Sequence, residues 1–349
     1  MIILILHILV SLSLLTAVLS VYLPASVLPI PAWFALMFEW LIAAELVLGL
    51  LQLFTKYRRW TWMTVAMIVL SIAPICYTVS HGSLFFPKSK LPHSFTLMTY
   101  NSHMMDASRK PKQNRVIQYI LRTQPDVVCL QEVEVYKSGN KLSLNELREA
   151  LNVYPYTYFD FKVYNSQLQF GNVVFSRYPL IGKHTLRYQS ETNITSVCDI
   201  VLPTDTIRLY TNHLESNKLL QKDLDLGTTT EQAKSAFNST SEKLAHASAI
   251  RIEQAKILRS DAERSPYPVL IVGDMNTTPV SYTYRILQRG LRDAFLESSD
   301  GQLGHTFIKK RFGVRIDYIL HSKDLSASGL DIPHVDYSDH YPVLATIHY

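Results

Sequence analysis

The sequence predicts an α/β body preceded by about three membrane-spanning helices. Three observations predict it. Residues 1–79 hold three apolar runs of about 20 residues, the length that crosses roughly 30 Å of hydrocarbon at about 1.5 Å per residue. From residue 94 onward, short apolar runs of strand character alternate with segments of helical spacing. Several of those runs stop at a polar residue, at Asn101, Glu132, His213 and Asp274, which is how a sheet presents a site at one end.

The three runs are Ile2 to about Val21, Trp33 to about Phe54 and Trp60 to about Val79. Trp33, Trp60, Trp62 and Tyr77 fall near their ends, where amphipathic rings favour the membrane interface. The first run lacks the basic flank of a signal peptide, and two more runs follow it, so it reads as a span. Residues 1–79 therefore form an anchor whose partner is the lipid bilayer of an inner or plasma membrane. The loop Lys56-Tyr57-Arg58-Arg59 carries the basic charge between spans two and three, and the positive-inside rule places it in the cytoplasm. Everything after span three then faces the periplasm or the cell exterior. Glu39 and Glu45 lie in the second run. A carboxylate there either serves a function or hydrogen-bonds between helices that associate.

Residues 80–93, with Gly82, Pro87, Pro92 and two lysines but no periodic pattern, read as a linker. The formal charge of the chain is +5, yet 29 basic and 27 acidic residues remain in 94–349, a net of +2. A body so near neutrality has no general field for steering a polyanion. The three cysteines, Cys76, Cys129 and Cys198, have no zinc-site spacing. Cys129 and Cys198 lie in strand-like runs as buried thiols, and a disulfide between them stays open.

The body, 94–349, starts with a strand, Phe95–Tyr100, that ends at Asn101. Lys112 to Arg122 has helical spacing, closed by Pro125. The run 126–130 is a buried strand that delivers Gln131 and Glu132. Leu144–Leu151 is a second helix. Strands follow at Tyr156–Phe159, Val173–Phe175, His184–Arg187, Ser196–Val201 and Ile207–Thr211, the last leading to Asn212-His213-Leu214. Residues 215–244 are polar and rich in Thr, Ser and Asn. They read as an insertion with a short helix around Leu219–Leu226, serving either as a lid or as a solvated excursion. A helix resumes from Leu244 to Leu258. Val269–Val272 is a buried strand followed by Gly273-Asp274-Met275-Asn276. In an extended chain Asp274 and Asn276 project on one side, which suits positioning of water beside a phosphate. Arg315–Leu320 is a strand with Asp317 in its middle. Before a closing strand at 343–347 come Ser338-Asp339-His340, neighbours that point to opposite faces unless a turn re-aims them.

Taken in order, Tyr100-Asn101, Gln131-Glu132-Val133, Ser176-Arg177-Tyr178-Pro179, Asn212-His213-Leu214, Gly273-Asp274-Met275-Asn276, Arg315-Ile316-Asp317-Tyr318 and Ser338-Asp339-His340 resemble the endonuclease/exonuclease/phosphatase superfamily, the DNase-I-like fold. The resemblance spans 94–349. It implies a two-sheet β-sandwich flanked by helices, and hydrolysis of phosphoesters with Mg²⁺ or Mn²⁺. It also implies roles. Glu132 is then the main metal ligand, with Asn101 and Asp339 nearby. Asp274 is the base for the attacking water, and Asn276 holds that water and a phosphate oxygen. His340, backed by Asp317, stabilises the transition state or helps the leaving group, and His213 contacts the phosphate. Asn172 carries only a weak binding role. Some nuclease branches have an acidic residue two positions after the first Asn; this sequence has His103 there. The Asn-His-Leu motif is nearer the phosphatase, sphingomyelinase and DNase-I-like branches than the abasic-site endonucleases.

The reading that follows is a membrane-anchored, outward-facing, metal-dependent phosphoesterase acting on a lipid head group or small phosphoester. A surface nuclease is the alternative, with DNA or RNA as the less favoured substrate. A non-catalytic scaffold, and a transporter or sensor built on Glu39 and Glu45, are the remaining classes; three spans with few polar residues leave little room for a transport pathway.

Overall fold

The computed structural model describes residues 1–349 except 81, 83–89, 164, 166, 191, 218–229, 300–301 and 310–311. The chain clusters into two units. One comprises 1–78, 216–255 and 277–287, and the other 79–215, 256–276 and 288–349.

In the first unit, α1 (Ile2–Leu19) is a single unbroken candidate span. The other two runs are broken. α2 (Ile30–Leu36) and α3 (Phe38–Leu53) meet at 75°, and the segment Arg58–Leu70, which contains α4 (Trp62–Leu70), meets α5 (Ile72–Thr78) at 55°. The described residues thus hold one helix long and apolar enough to cross a membrane, or three if each bent pair is one span. Leu14, Ala17, Val18, Phe38 and Met67 pack together, while Leu9, Leu12, Trp40, Leu46 and Leu50 remain exposed.

Glu45 does not face that exposed apolar surface. His7 Nε2 lies 3.0 Å from Glu45 Oε1 and 2.9 Å from Thr64 Oγ1, and Ser11 Oγ donates to both Glu45 oxygens at 3.1 and 3.0 Å. His7 and Glu45 are fully buried. A carboxylate with these partners joins α1 to α3. A helix spanning Thr230–Ala262 starts well before the Leu244 that periodicity predicts, so the second half of the polar stretch is helical. The short helix expected around Leu219–Leu226, and most of the linker, lie outside the described residues. Trp33 Nε1 donates to Ser241 Oγ at 2.9 Å, and its ring stacks on Phe237.

Among the described residues the second unit contains fourteen strands: β1 (Ser94–Asn101), β2 (Val127–Tyr136), β3 (Tyr156–Val163), β4 (Leu168–Ser176), β5 (Leu180–Arg187), β6 (Ile194–Val201), β7 (Thr206–His213), β8 (Val269–Asp274), β9 (Arg292–Asp293), β10 (Phe307–Lys309), β11 (Phe312–Val314), β12 (Asp317–His321), β13 (Ser326–Asp331) and β14 (Val343–His348). Twelve build two six-stranded mixed sheets, ordered β13-β14-β1-β2-β4-β3 and β5-β6-β7-β8-β12-β9; β10 and β11 form a separate hairpin. β1 and β2 run parallel at the middle of one sheet, as do β7 and β8 in the other.

The period-2 alternation of each strand decides which residues meet. Leu97, Cys129 and Val174 from the first sheet pack with Cys198, Leu209, Leu270 and Ile319 from the second. Their neighbours Met98, Val128 and Phe175 point the other way and bury Val116, Ile117 and Ile120 of the helix Arg115–Thr123. Asn114 caps that helix, accepting from Ile117 N–H at 3.0 Å. This is the two-sheet sandwich with flanking helices that the motifs imply. Cys129 and Cys198 are both buried and both free, and burial pushes the Cys129 thiol up to about 12.

Candidate active site

Strand register assembles the site. In the second sheet, parallel β7 sets His213 opposite Asp274, and antiparallel β12 sets Asp317 opposite the same Asp274. In the first sheet, Asn101 at the end of β1 pairs with Gln131 of β2. The β2–β4 register shifts between Leu130 and Val133, and Glu132 takes φ 53°. Such a bulge re-aims a side chain, here away from the alternation that would govern an unbroken strand. Gly273, at φ 118°, precedes the base candidate; a Cβ there would collide with the Asn212 backbone.

The side chains converge on Asp274. Asn101 Nδ2 donates to Asp274 Oδ2 at 2.9 Å and to Glu132 Oε1 at 3.1 Å, linking the two sheets. Asn276 donates its backbone N–H to Asp274 Oδ1 at 2.8 Å, and its Nδ2 to Asp274 Oδ2 at 3.1 Å and to the Leu214 carbonyl at 2.9 Å. His340 Nδ1 lies 2.9 Å from Asp317 Oδ2, and its Nε2 lies 3.8 Å from Asp274 Oδ2. His213 Nε2 sits 3.2 Å from Glu132 Oε1 but is not aligned for a hydrogen bond. Asp317 opens β12 rather than lying mid-strand, and Thr306 Oγ1 accepts the Ile316 and Asp317 N–H groups at 3.1 Å each.

Asp339 and His340 do part to opposite sides. His340 is buried against Asp317, whereas the half-exposed Asp339 carboxylate faces His103, with Oδ1 3.5 Å from His103 Nδ1. The same nitrogen is 3.7 Å from Glu132 Oε2. Asn172 serves the scaffold, donating to the Thr211 carbonyl of the opposite sheet at 2.9 Å. Sequence reading missed two aromatic neighbours: the Phe307 ring lies 5.0 Å from that of His340, and Phe170 lies 6.4 Å from His213. Neither carries a local signal, because only pairing between distant strands brings them there.

Electrostatics separates the carboxylates. Burial raises Asp274 to about 6, helped by the charge of Asp317 and opposed by His340 and His213. Burial opposes ionisation of Glu132 too, but His103, His213 and Asn101 hold it well below the usual carboxylate range. Burial would lower His340, yet Asp317 and Asp274 raise it to about 10. Near neutral pH the arrangement is a carboxylate base beside an imidazolium that its own carboxylate partner orients.

Among the described residues, two groups have the ligand spacing of a cation site: Glu132 with His213 and Asp274, and Asp274 with Asp317 and His340. The buried His213 Nε2 and Asp317 Oδ1 have no hydrogen-bond partner among the described residues, so donor capacity is left over in both. Oxygen-rich donors with an imidazole fit a divalent cation.

A base, an oriented imidazolium and carboxylates fit to hold a cation define the class of hydrolase that turns water on phosphoesters. The chain belongs to the Endonuclease/Exonuclease/phosphatase family, whose model matches residues 98–340. Members of that family are hydrolases acting on phosphoesters. Solved structures share the fold. An endonuclease/exonuclease/phosphatase from Beutenbergia cavernae is 19% identical, with a TM-score of 0.57 over 74% of this chain and 72% of that one. One from Bacteroides vulgatus is 17% identical, with a TM-score of 0.52 over 74% and 99%. D. rerio TDP2 complexed with single strand DNA product is 14% identical, with a TM-score of 0.51 over 74% and 100%. No curated protein matches the sequence.

Proposed function

We propose that this chain is a membrane-anchored, outward-facing phosphoester hydrolase that depends on Mg²⁺ or Mn²⁺ and acts on a lipid head group or a small phosphoester. The observation that carries the hydrolytic reading is the convergence of Asn101, Asn276, His340 and Glu132 around one buried carboxylate, Asp274. A divalent ion held at Glu132, with Asn101 and Asp339 nearby, would offset charge on the phosphoryl group. Asp274 accepts a proton from the attacking water, which Asn276 orients. His340, kept in one orientation by Asp317, offers Nε2–H to the phosphoryl oxygens or to the leaving group. His213 contacts a second phosphoryl oxygen. Placing donors where charge develops supplies most of the rate in such transfers.

The apolar runs of 1–79 and the basic loop at 56–59 support anchoring and the outward orientation. A chain held at a bilayer meets lipid head groups at high local concentration. The net charge of +2 over 94–349 offers no general attraction for a long polyanion. A nuclease is the second reading, supported by the fold shared with TDP2 bound to a single-stranded DNA product.

The test uses the full chain in detergent micelles, wild type and His340→Ala, with Mg²⁺ or Mn²⁺. The panel contains a lipid phosphodiester, a lipid phosphomonoester, an inositol phosphate and single- and double-stranded DNA. We expect turnover of a lipid or small phosphoester that falls by about 10²–10⁴-fold in the variant. Cleavage of DNA alone would establish the nuclease instead. A folded chain that turns over nothing and binds neither metal would overturn both.

A further inference from the structure

We propose that the N-terminal apolar helices position the loop that carries Asn276, and that Ser20 at the end of α1 is the positioning residue through which they do so. The inference rests on the hydrolase reading above and deepens it, because turnover at Asp274 then depends on the anchor as well as on the sandwich.

The chain passes from the second unit to the first at one peptide bond, between Asn276 and Thr277. Asn276 sits at φ 50°. A non-glycine residue in that region persists where its surroundings over-determine it. Its N-terminal side is held by the second unit. There Asp274 is in register with His213 and Asp317, and the Met275 N–H donates to the Ile316 carbonyl at 2.9 Å. On its C-terminal side β8 has ended, and residues 277–287 belong to the first unit.

That second hold has two parts. Thr277 Oγ1 donates to Ser281 Oγ at 2.8 Å, and Ser281 Oγ donates to the Thr278 carbonyl at 2.7 Å and accepts the Tyr284 N–H at 3.1 Å. Pro279 locks one further torsion, so the link from Asn276 to the helix Tyr282–Gln288 has little slack. The link is then seated on the apolar helices. Val280, 2% exposed, packs with Leu14, Ala17 and Val18 of α1 and with Phe38 of α3. Its carbonyl accepts from Ser20 Oγ at 2.7 Å, a bond across 260 residues of sequence. The same hydroxyl lies 2.7 Å from the Ala17 carbonyl of its own helix, which alone satisfies a serine at a helix end. The buried Tyr284 ring lies 5.7 Å from that of Tyr77, and the Arg285 guanidinium lies 4.8 Å from the Tyr22 ring.

Ser20, Tyr22 and Tyr77 lie at the ends of the first and third apolar runs, which share the outward side in the proposed orientation. Only Thr277, Thr278 and Pro279 separate Asn276 from the seated Val280. A shift of α1 therefore reaches the residue that orients the water, and misplacing such a group by about 1 Å costs up to about 100-fold in rate.

The experiment uses the full chain in detergent micelles, as wild type, Ser20→Ala, Ser20→Thr and Val280→Ala. Circular dichroism checks that each variant is folded. Hydrogen–deuterium exchange is followed by mass spectrometry in peptides covering 275–287, with peptides from β2 and β6 as internal reference. Steady-state kinetics use the phosphoester that the panel identifies. We expect exchange in 275–287 to rise about 2–10-fold in Ser20→Ala, the equivalent of one lost hydrogen bond, with the reference peptides unchanged. In the same variant kcat should fall about tenfold with KM nearly unchanged. Val280→Ala should act in the same direction, and Ser20→Thr, which keeps the hydroxyl, should restore most of both losses. Unchanged exchange in Ser20→Ala, or faster exchange with unchanged kcat, would overturn the inference while the hydrolase reading stands. A folded wild type that turns over nothing would remove the hydrolase reading, and the positioning role with it, whatever the exchange shows.

Discussion

Asp317 touches no group that must react, yet it decides what His340 can do. Its carboxylate fixes Nδ1 at 2.9 Å, leaving Nε2 directed toward Asp274. Asp317→Asn keeps the shape and removes the charge. The imidazole then loses one of the two carboxylates that keep it protonated. We expect kcat to fall by about 10²-fold or more, with KM nearly unchanged, in steady-state assays on the phosphoester that the panel identifies. Asn101 acts differently. It spans the two sheets through Glu132 and Asp274, so its replacement disturbs a metal ligand and the base together, and its effects with Glu132 substitutions will not add.

Among elements, the short helix Ala294–Ser298 has an influence out of proportion to its length. Its Glu297 lies 3.0 Å from His321 on β12, accepts from Arg292 on β9 at 3.2 Å, and accepts the Ala327 N–H of β13 at 3.3 Å. One carboxylate thereby ties the edges of both sheets. Burial opposes its ionisation, but His321, Ala327 and Arg292 hold its pKa below the usual value. A depressed carboxylate stabilises the fold above its unfolded pKa of about 4.3 and loses that contribution as pH falls through the lower folded value. Glu297→Gln should therefore be less stable than wild type at pH 7 by about 2–3 kcal/mol. In urea unfolding series the gap should narrow steadily below about pH 4. The helices of the first unit depend on a second buried pair, His7 with Glu45. Glu45→Ala leaves Ser11 without its acceptor and the imidazole with Thr64 alone, and such a loss costs about 1–3 kcal/mol. A lower unfolding midpoint in detergent would show it. Replacing both residues with Leu should recover most of the loss.

At the scale of the whole molecule, the proposed orientation rests on three basic residues. Lys56, Arg58 and Arg59 flank Tyr57 between the second and third apolar runs, and the remaining sequence of 1–79 carries no other Lys or Arg. A phosphatase reporter that is active only outside the cytoplasm, fused after Tyr349, should be active in the wild type. Changing Lys56, Arg58 and Arg59 to Gln should reduce that activity and raise the signal of a cytoplasmic reporter at the same position. A reporter active only in the cytoplasm from the outset would reverse the assigned orientation and, with it, the preference for an external substrate.

The sequence by itself determined the chemistry available and much of where it would lie. Apolar runs ending at Asn101, His213 and Asp274 mark strand termini because a strand that buries both faces can place a polar group only where it stops; the end expected at Glu132 is instead a bulge inside β2, which continues to Tyr136. The ordered motifs were enough for the two-sheet class. Local pattern also reached the helix Arg115–Thr123, whose apolar spacing is regular. It failed for the start of the helix at Thr230, whose surroundings are polar, and for the bends that break the second and third apolar runs, because hydropathy measures length and not direction. Only the tertiary structure decided which groups touch. His7 reads as an interruption in an apolar run until a helix 38 residues away brings Glu45 to it. His103 reads as a missing carboxylate until a left-handed loop turns it toward Glu132 and Asp339. The pairing of β8 with β7 and β12 sets His213 and Asp317 against Asp274. Residue type is a local property, whereas register and burial depend on contacts between distant segments, and these determine each group's partners and its charge.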